Sequence, residues 1–472
     1  MKKITFFLLV CCFTGAASAQ NAADSAMIRK ISNYIMEKGA AYEHLRELCK
    51  KIGARLSGSP AMYQAEEWGR KVLTGMNADK VYFQQCSIPH WVRGAKEELR
   101  FVSPYLVNFN VKSGKTTPRK NTLEVLSLGN AVGTGAKGIT APVLAVKDFA
   151  ELELRKAEAK GRIVYFSYPF KQTFIRTFEG YGDAVRYRSS GASQAAKYGA
   201  LAVMIRSVTP AFDNYPHTGA LRYNDSFPKI PAVAIGIKDA MELEQMYASI
   251  PQGNNLTVFL RTNCVMLPDT IAHNVIAEIR GSEFPNEIIT IGGHLDSWDP
   301  AEGAHDDGAG VVQSMEVINV FKQIGYTPKR TIRVVLFANE ENGLRGGQKY
   351  AEEAKKNGEK HLLAIETDGG GFTPRSFGGT MNDAQFARFS SWKGLLAPYG
   401  IEAMERGGGG ADIGPLNRLL GTPVVGLEPD SQRYFDVHHA GSDVFEAVNR
   451  RELHLGAVTI AALVYLADQY GL

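Results

Sequence analysis

Four stretches of the chain carry residues able to hold and use a metal ion. The run 291–310, IGGHLDSWDPAEGAHDDGAG, supplies His294, Asp296, His305, Asp306 and Asp307 between glycines. Glu340 and Glu341 are adjacent, Asp368 precedes three glycines, and the run 429–443, PDSQRYFDVHHAGSD, ends in His438, His439 and Asp443. Imidazoles and carboxylates without thiolates suit zinc, manganese or cobalt. The number of donors suits two ions better than one. Such a pair lies roughly 3.5–4 Å apart and lowers the pKa of bound water towards about 7. Two divalent cations balanced by three carboxylates and one hydroxide make a neutral centre. Taken singly, each group has a plainer reading. Acids favour a helix start, an aspartate before glycine suits a turn, and a lone histidine is more often structural.

The elements that must position these residues are strands. HNVIAEIRG, NEIITIGG, RTIRVVLFAN, HLLAIETD and TPVVGLEPD read as strands. GVVQSMEVINVFKQIG, LRGGQKYAEEAKKNG and RRELHLGAVTIAALVYLADQY read as helices. This pattern predicts an α/β fold, a mixed sheet sandwiched by helices. His294, the Glu340-Glu341 pair, Asp368 and the 430s histidines each follow a strand. Ligands of open α/β sheets bind beyond the carboxyl ends of the strands, so four such ends would meet at one edge.

Residues 24–80 look mainly helical, with a break at GARLSGSP. From about 121 to 265 the texture changes, with short strand-like runs such as GITAPVLAV, GRIVYFSY, ALAVMIRS and IPAVAIG around helical pieces such as GASQAAKYG. This predicts an inserted α/β module, 121–265, between the two parts of a catalytic domain, 20–120 and 266–472. The start, MKKITFFLLVCCF followed by ASA before Gln20, has the charged, apolar and small-residue regions of a signal peptide over 1–19. That pattern predicts export, to the periplasm or beyond. Losing Lys2 and Lys3 with it would take the formal charge from +4 to about +2, a near-neutral balance that argues against nucleic acid or an anionic membrane surface as partner. Cys49, Cys86 and Cys264 leave room for one disulfide and one free thiol, and none forms a C-x-x-C pair. The apolar run 455–467 suits a packed C-terminal helix better than a membrane span.

The order H-x-D at 294–296, D-D-G at 306–308, E-E-N-G at 340–343, T-D-G-G at 367–370 and H-x-x-x-D at 439–443 resembles the di-zinc aminopeptidase and carboxypeptidase family. The resemblance extends through IGARLSGSP, HWVRG, YRSSGASQAAKYGALAVMIRSVTP, PHTGALRYND and GGGGADIGPL, covering nearly the whole chain after residue 19. It implies the zinc exopeptidase fold, with the inserted module a protease-associated domain, and a homodimer as an expected assembly. It further implies two zinc ions, with Asp306 bridging both, His294 and Asp368 completing one site, and Glu341 and His439 the other. Glu340 would be the general base towards a metal-bridging hydroxide, and Asp296 would hydrogen-bond His294 and fix its tautomer. The spacing to Asp443 favours His439 over His438 as the ligand, leaving His438 for the pocket or for support. Asp307 would shape the loop and His305 would bind no metal. The run 406–412, RGGGGAD, lacks a Walker lysine and reads as a substrate loop with Asp412 as a pocket residue; His217 would reach the site or a partner subunit. The expected function is an exported di-zinc metallo-exopeptidase acting on dipeptides or short peptides. The competing readings are a non-catalytic binding protein on the same fold and a single-zinc acyltransferase like the glutaminyl cyclases.

Overall fold

In the computed structural model, which describes residues 21–102, 107–110, 115–118, 121–251 and 254–472, the strand Arg330–Phe337 shows how the main sheet is built. Ile332, Val334 and Leu336 enter one apolar cluster, while Val335 and Phe337 enter another. Successive side chains of a strand point to opposite faces, so a strand with apolar residues on both faces needs cover on both. Helices Ala309–Gln323 and Arg450–Tyr470 cover the first face, and helices Arg345–Lys356 and Gly414–Leu420 the second. The sheet has eight strands in the order Lys80–Val92, Val265–Ile279, Arg330–Phe337, Phe284–His294, Lys360–Glu366, Val424–Pro429, Pro374–Thr380, Ala403–Arg406. Its four central strands, from Arg330–Phe337 to Val424–Pro429, run parallel, with antiparallel pairings on either side. The mixed sheet between helical layers is the predicted one.

The apolar run 455–467 lies inside the helix Arg450–Tyr470, capped by Asn449, whose side chain accepts from the Arg451 and Glu452 amides. Among the described residues no helix is long and apolar enough to cross a membrane. The signal-peptide stretch 1–19 lies outside the described residues.

A second eight-stranded mixed sheet comes from the sequence between the first two strands of the main one. Its parallel centre is Ile139–Val146, Ile163–Phe166, Ala202–Arg206 and Ala232–Ile235. The strand Glu98–Phe101 also joins it, pairing with Thr257–Arg261, so the sheet draws on residues before 121. The helical signal seen at GASQAAKYG is the end of a longer helix, Thr177–Ala196.

The two sheets meet closely. A Cβ on Gly129 would lie 1.8 Å from the Trp298 ring, so only glycine admits that approach. Arg93 clamps Asp299 with two bonds of 2.8 and 2.6 Å. His217 is buried at the junction, its Nδ1 2.7 Å from the carbonyl of His438. Burial pushes the His217 pKa down to about 3 from 6.5, so the folded ring is neutral and Nδ1–H donates. An unfolded chain takes up that proton below about 6.5 and the folded one does not, so stability falls as pH drops from there towards about 3. In thermal melts, His217→Asn, which keeps a donor but cannot titrate, is expected to show a shallower loss of Tm over that range.

Cys49, Cys86 and Cys264 are all buried and unpaired, so the disulfide for which the sequence left room does not form. Burial pushes the Cys49 and Cys86 thiols up to about 12. Without thiolate there is no nucleophile, and the native protein is expected to react with alkylating agents only after denaturation.

Candidate metal centre

The predicted groups lie at the carboxyl ends of the parallel strands. His294 is the last residue of Phe284–His294. Glu340 and Glu341 open a helical turn just past Arg330–Phe337, reached through Asn339 at φ +63°, a left-handed conformation that asparagine tolerates better than most residues. Asp368 follows Lys360–Glu366 by two residues. Asp306 sits in the turn Ala304–Gly308, before helix Ala309–Gln323, and its peptide bond to Asp307 is cis. His438 and His439 follow the short helix Tyr434–Val437, with His439 at φ +63°.

Asp306 is the common point. Its Oδ1 lies 3.2 Å from His294 Nε2, which is itself 3.7 Å from Asp368 Oδ1. Its Oδ2 lies 3.2 Å from His439 Nε2, which is 3.1 Å from Glu341 Oε2. His438 also approaches that oxygen, at 3.7 Å, its ring stacked on His439 at 3.6 Å. Two donor sets therefore meet at one carboxylate: His294, Asp306 and Asp368, and Asp306, His438 and His439, each with its atoms within 4.8 Å of one another. Glu341 adds a donor beside the second.

These groups suit cations. Asp306 Oδ2 is buried and accepts no hydrogen bond. Burial followed by the Asp306 charge pushes Glu341 up to about 7, offset in part by His439. Glu340 is driven well above the carboxylate range by burial first, then by Asp368, Glu341 and Asp296 against the pull of His294. Burial alone would raise Asp306 too, but the His294 and His439 rings beside it hold it well below the usual range. Negative charge is crowded here beyond what the imidazoles neutralise, and no lysine or arginine pairs with these carboxylates among the described residues.

The supporting bonds explain the neighbours of the cluster. Asp307 turns away from it, accepting the His294 and Gly310 amides at 3.0 Å each. Asp443 accepts the amides of His305 and Asp306 at 2.7 and 3.1 Å, fixing the turn that presents Asp306. His305 stacks on Phe372 at 4.2 Å and takes the Gly371 amide on Nδ1, well tied but aimed away from Asp306. His305→Ala is expected to cost about 2–4 kcal/mol of stability, read by urea unfolding, without changing bound metal. Asp296 acts differently from the expectation. His294 Nδ1 bonds the Asp296 carbonyl at 2.9 Å, while the carboxylate stands 3.8 Å off and instead accepts the Glu340 amide at 3.0 Å. The tautomer of His294 is thus set by backbone, and the Asp296 side chain aims the turn that carries Glu340.

The cluster opens into a cleft of about 760 Å³. Its floor holds Asp306, Glu340, Glu341, Asp368, His438 and His439; the opposite wall comes from the second sheet's helix Thr177–Ala196. Phe178, Tyr181, Val185 and Arg188 recur at three-to-four spacing along one face of that helix and line the cleft together. Tyr181 stacks on Phe435 at 4.7 Å, so this wall is braced on the loop that bears the histidines. The stripe has no place among the sequence expectations, although its spacing is legible there. Asp412, by contrast, is buried away from the cleft, its amide bonded to Glu366 at 3.0 Å. The 406–412 glycines serve close approach: a Cβ on Gly410 would fall 2.1 Å from the Glu366 carboxyl carbon. His217 reaches the loop of His438, not the cluster itself.

Comparison with known proteins places the chain in a family. The model of peptidase family M28 matches residues 274–464. Mouse carboxypeptidase Q is 34% identical over 93% of this chain and 88% of its own length. Among solved structures, an M28 peptidase precursor from Shewanella amazonensis superposes with a TM-score of 0.86 at 30% identity, over 95% of this chain and 97% of that one. A zinc aminopeptidase from Bacillus subtilis shares the fold at a TM-score of 0.64 and 20% identity, over 90% and 94% of the two chains.

Proposed function

Since the chain belongs to peptidase family M28 and is a zinc-dependent exopeptidase, we propose that it hydrolyses dipeptides or short peptides at a centre of two zinc ions. Asp306 would bridge the ions, with His294 and Asp368 completing one site and Glu341 and His439 the other. The observation that carries this is the sharing of Asp306 between two imidazole–carboxylate groups. When bound, the zinc ions supply Lewis acidity towards the peptide carbonyl and acidify the attacking water.

The rest is done by the chain. Glu340 takes the proton of the attacking water and then delivers it to the departing amine. Asp296 holds the Glu340 amide and so the reach of its carboxylate. The Asp296 carbonyl keeps the proton of His294 on Nδ1 and leaves Nε2 free for metal. Asp307 and Asp443 fix the backbone on either side of the bridging carboxylate. Phe178 and Tyr181 give the cleft an aromatic wall facing the metal-binding floor.

His439 is the ligand in this reading because it alone of the two histidines contacts Glu341 as well as Asp306. His438, stacked behind it, supports its ring. Native mass spectrometry is expected to find two zinc ions per chain; a single ion at saturation would favour the acyltransferase reading. Zinc-loaded protein is expected to cleave members of a dipeptide panel and to lose that activity to a chelator. Total inactivity across the panel, unchanged in Glu340→Gln, would favour a binding protein instead.

The second sheet, inserted between the strands of the first, is read as a protease-associated domain that roofs the cleft. Residues 1–19 are read as an export signal, and amino-terminal sequencing of the exported protein is expected to start near Gln20. A homodimer is the expected assembly.

A further inference from the structure

A second cavity, of about 530 Å³, lies beside the metal cleft. Asp368 and Phe178 line both spaces, so they adjoin on the side of the centre held by His294 and Asp368. The apolar part of the second cavity comes from Phe178, Leu427 and Pro429. Five acids line it, Glu179, Glu366, Asp368, Glu405 and Glu428, against two bases, Arg176 and Arg375. Both bases are already engaged. Arg176 pairs with Glu405 at 3.4 Å. Arg375 pairs with Glu402 and Asp430 at 3.0 and 3.4 Å, neither of which lines the cavity.

Asp368 belongs to the metal centre, and the remaining acids leave negative charge without a counter-ion. Glu366 shows it best. At 1% exposure it accepts the Asp412 and Ile413 amides on Oε2 at 3.0 and 2.9 Å, while Oε1 accepts nothing. A buried polar atom without a partner is costly. Gly410 keeps the group within reach of the cavity, since a Cβ there would stand 2.3 Å from Oε1. Glu428, exposed, accepts the Ser376 hydroxyl at 3.0 Å, and no base pairs with it among the described residues. A metal ion fits poorly here. Among the described residues both donor sets able to hold one contain Asp306, and neither includes Glu366 or Glu428. An organic cation on an apolar stem fits both the charge and the lining.

We propose that this cavity is a side-chain subsite for a lysine or arginine flanking the scissile bond, with the charged end at Glu366 and Glu428 and the methylenes against Phe178, Leu427 and Pro429. This rests on the exopeptidase reading of the neighbouring centre, to which it adds a preference for basic residues. Long basic side chains bury their stems along apolar surface while the head finds polar partners, and hydrogen bonds from an ammonium or guanidinium to a carboxylate are the strong ones. The terminal ammonium of a dipeptide is a poorer occupant. It stands two bonds from the scissile carbonyl carbon, about 2.5 Å away, and so stays over the metal centre with that carbonyl. A lysine ammonium on the same residue stands six bonds away and reaches about 7 Å, past Asp368 and into the second cavity.

The test compares lysine with norleucine, which keeps the stem and loses the charge, on either side of the bond. Lysyl-alanine is set against norleucyl-alanine, and alanyl-lysine against alanyl-norleucine, by kcat and KM in the zinc-loaded full chain. In one pair the wild type is expected to prefer lysine by roughly 10- to 100-fold in kcat/KM, the range of hydrogen bonds to charged groups. That pair identifies the side of the bond the cavity serves. Glu428→Gln is expected to lower the lysine-to-norleucine ratio by about 3- to 10-fold, chiefly through a higher KM for the lysine substrate, and Glu366→Gln to lower it further. A merely structural role would slow both substrates equally and leave the ratio alone, so an unchanged ratio in either folded variant overturns the proposal. Glu428 is exposed, so its variant reads the ratio even if Glu366→Gln does not fold. A wild type that cleaves lysine and norleucine substrates alike in both pairs overturns it too. Analogues of the same dipeptides with a reduced peptide bond are titrated by calorimetry in parallel. Should no substrate turn over, the exopeptidase reading fails by itself, and the calorimetric preference for lysine over norleucine, present in wild type and reduced in Glu428→Gln, still decides for or against this subsite.

Discussion

Glu340→Gln is expected to lower kcat by about 10²- to 10⁴-fold, the range a positioned general base contributes, with KM, zinc content and Tm near wild type. The amide is nearly isosteric with the carboxylate, but its oxygen is a poor proton acceptor at neutral pH. The backbone of residue 340 is fixed independently, its amide held by Asp296 at 3.0 Å, so the turn survives the change. Burial and the neighbouring Asp368, Glu341 and Asp296 raise its pKa, with His294 opposing. Stopped-flow or steady-state assays with metal analysis on the same sample check the result. A variant that keeps more than about a tenth of wild-type kcat would remove Glu340 from the proton path.

Asp306→Asn should be more damaging still, since it is expected to lose both zinc ions together. Each oxygen of Asp306 serves a different histidine, Oδ1 facing His294 and Oδ2 facing His439, both at 3.2 Å. An amide presents one acceptor and one donor, so one ion would meet an NH2 group and the other a neutral oxygen. Changes in groups that only orient a ligand typically cost 10- to 100-fold in metal affinity, and loss of a shared ligand is expected to exceed about 100-fold for each ion. Competition with a fluorescent chelator measures both steps. If one ion stays at wild-type affinity while the other is lost, Asp306 is a ligand to one site only. The fold should persist, because the Asp306 amide bond to Asp443 and the Asp307 bonds to His294 and Gly310 are untouched.

The parallel centre of the main sheet was readable because its strands are apolar runs that each lead to a polar residue of the right chemistry, whereas the strands Lys80–Val92, Pro374–Thr380 and Ala403–Arg406 towards its edges carry no such signal. His294, Glu340, Glu341 and Asp368 declare themselves by standing immediately after such runs. The choice of Asp306 over His305 and Asp307 came from the order of motifs. In space it corresponds to His305 stacked on Phe372 and Asp307 turned to backbone amides. Other features depend on contacts between distant residues. That Asp296 orients His294 through its carbonyl follows from how the chain turns after the strand, which residue types do not reveal. Arg188 lies 251 positions from His439, and only folding the second sheet over the first makes them neighbours. The strand at 98–101 carries four residues, too few for a periodic signal.

The loop of His438 and His439 is held from above as well as below. The Thr218 amide donates to the His439 carbonyl at 3.0 Å, His217 to that of His438 at 2.7 Å, and the Thr209 hydroxyl to that of Phe435 at 2.7 Å. All three donors belong to the second sheet's part of the chain. The position of the last histidine therefore depends on the second sheet's part being folded and docked, and under the proposed two-zinc reading the second site would fill only after that. A chain whose roof is misfolded would leave the ribosome complete in sequence, carry every ligand, and stay harmless to surrounding peptides.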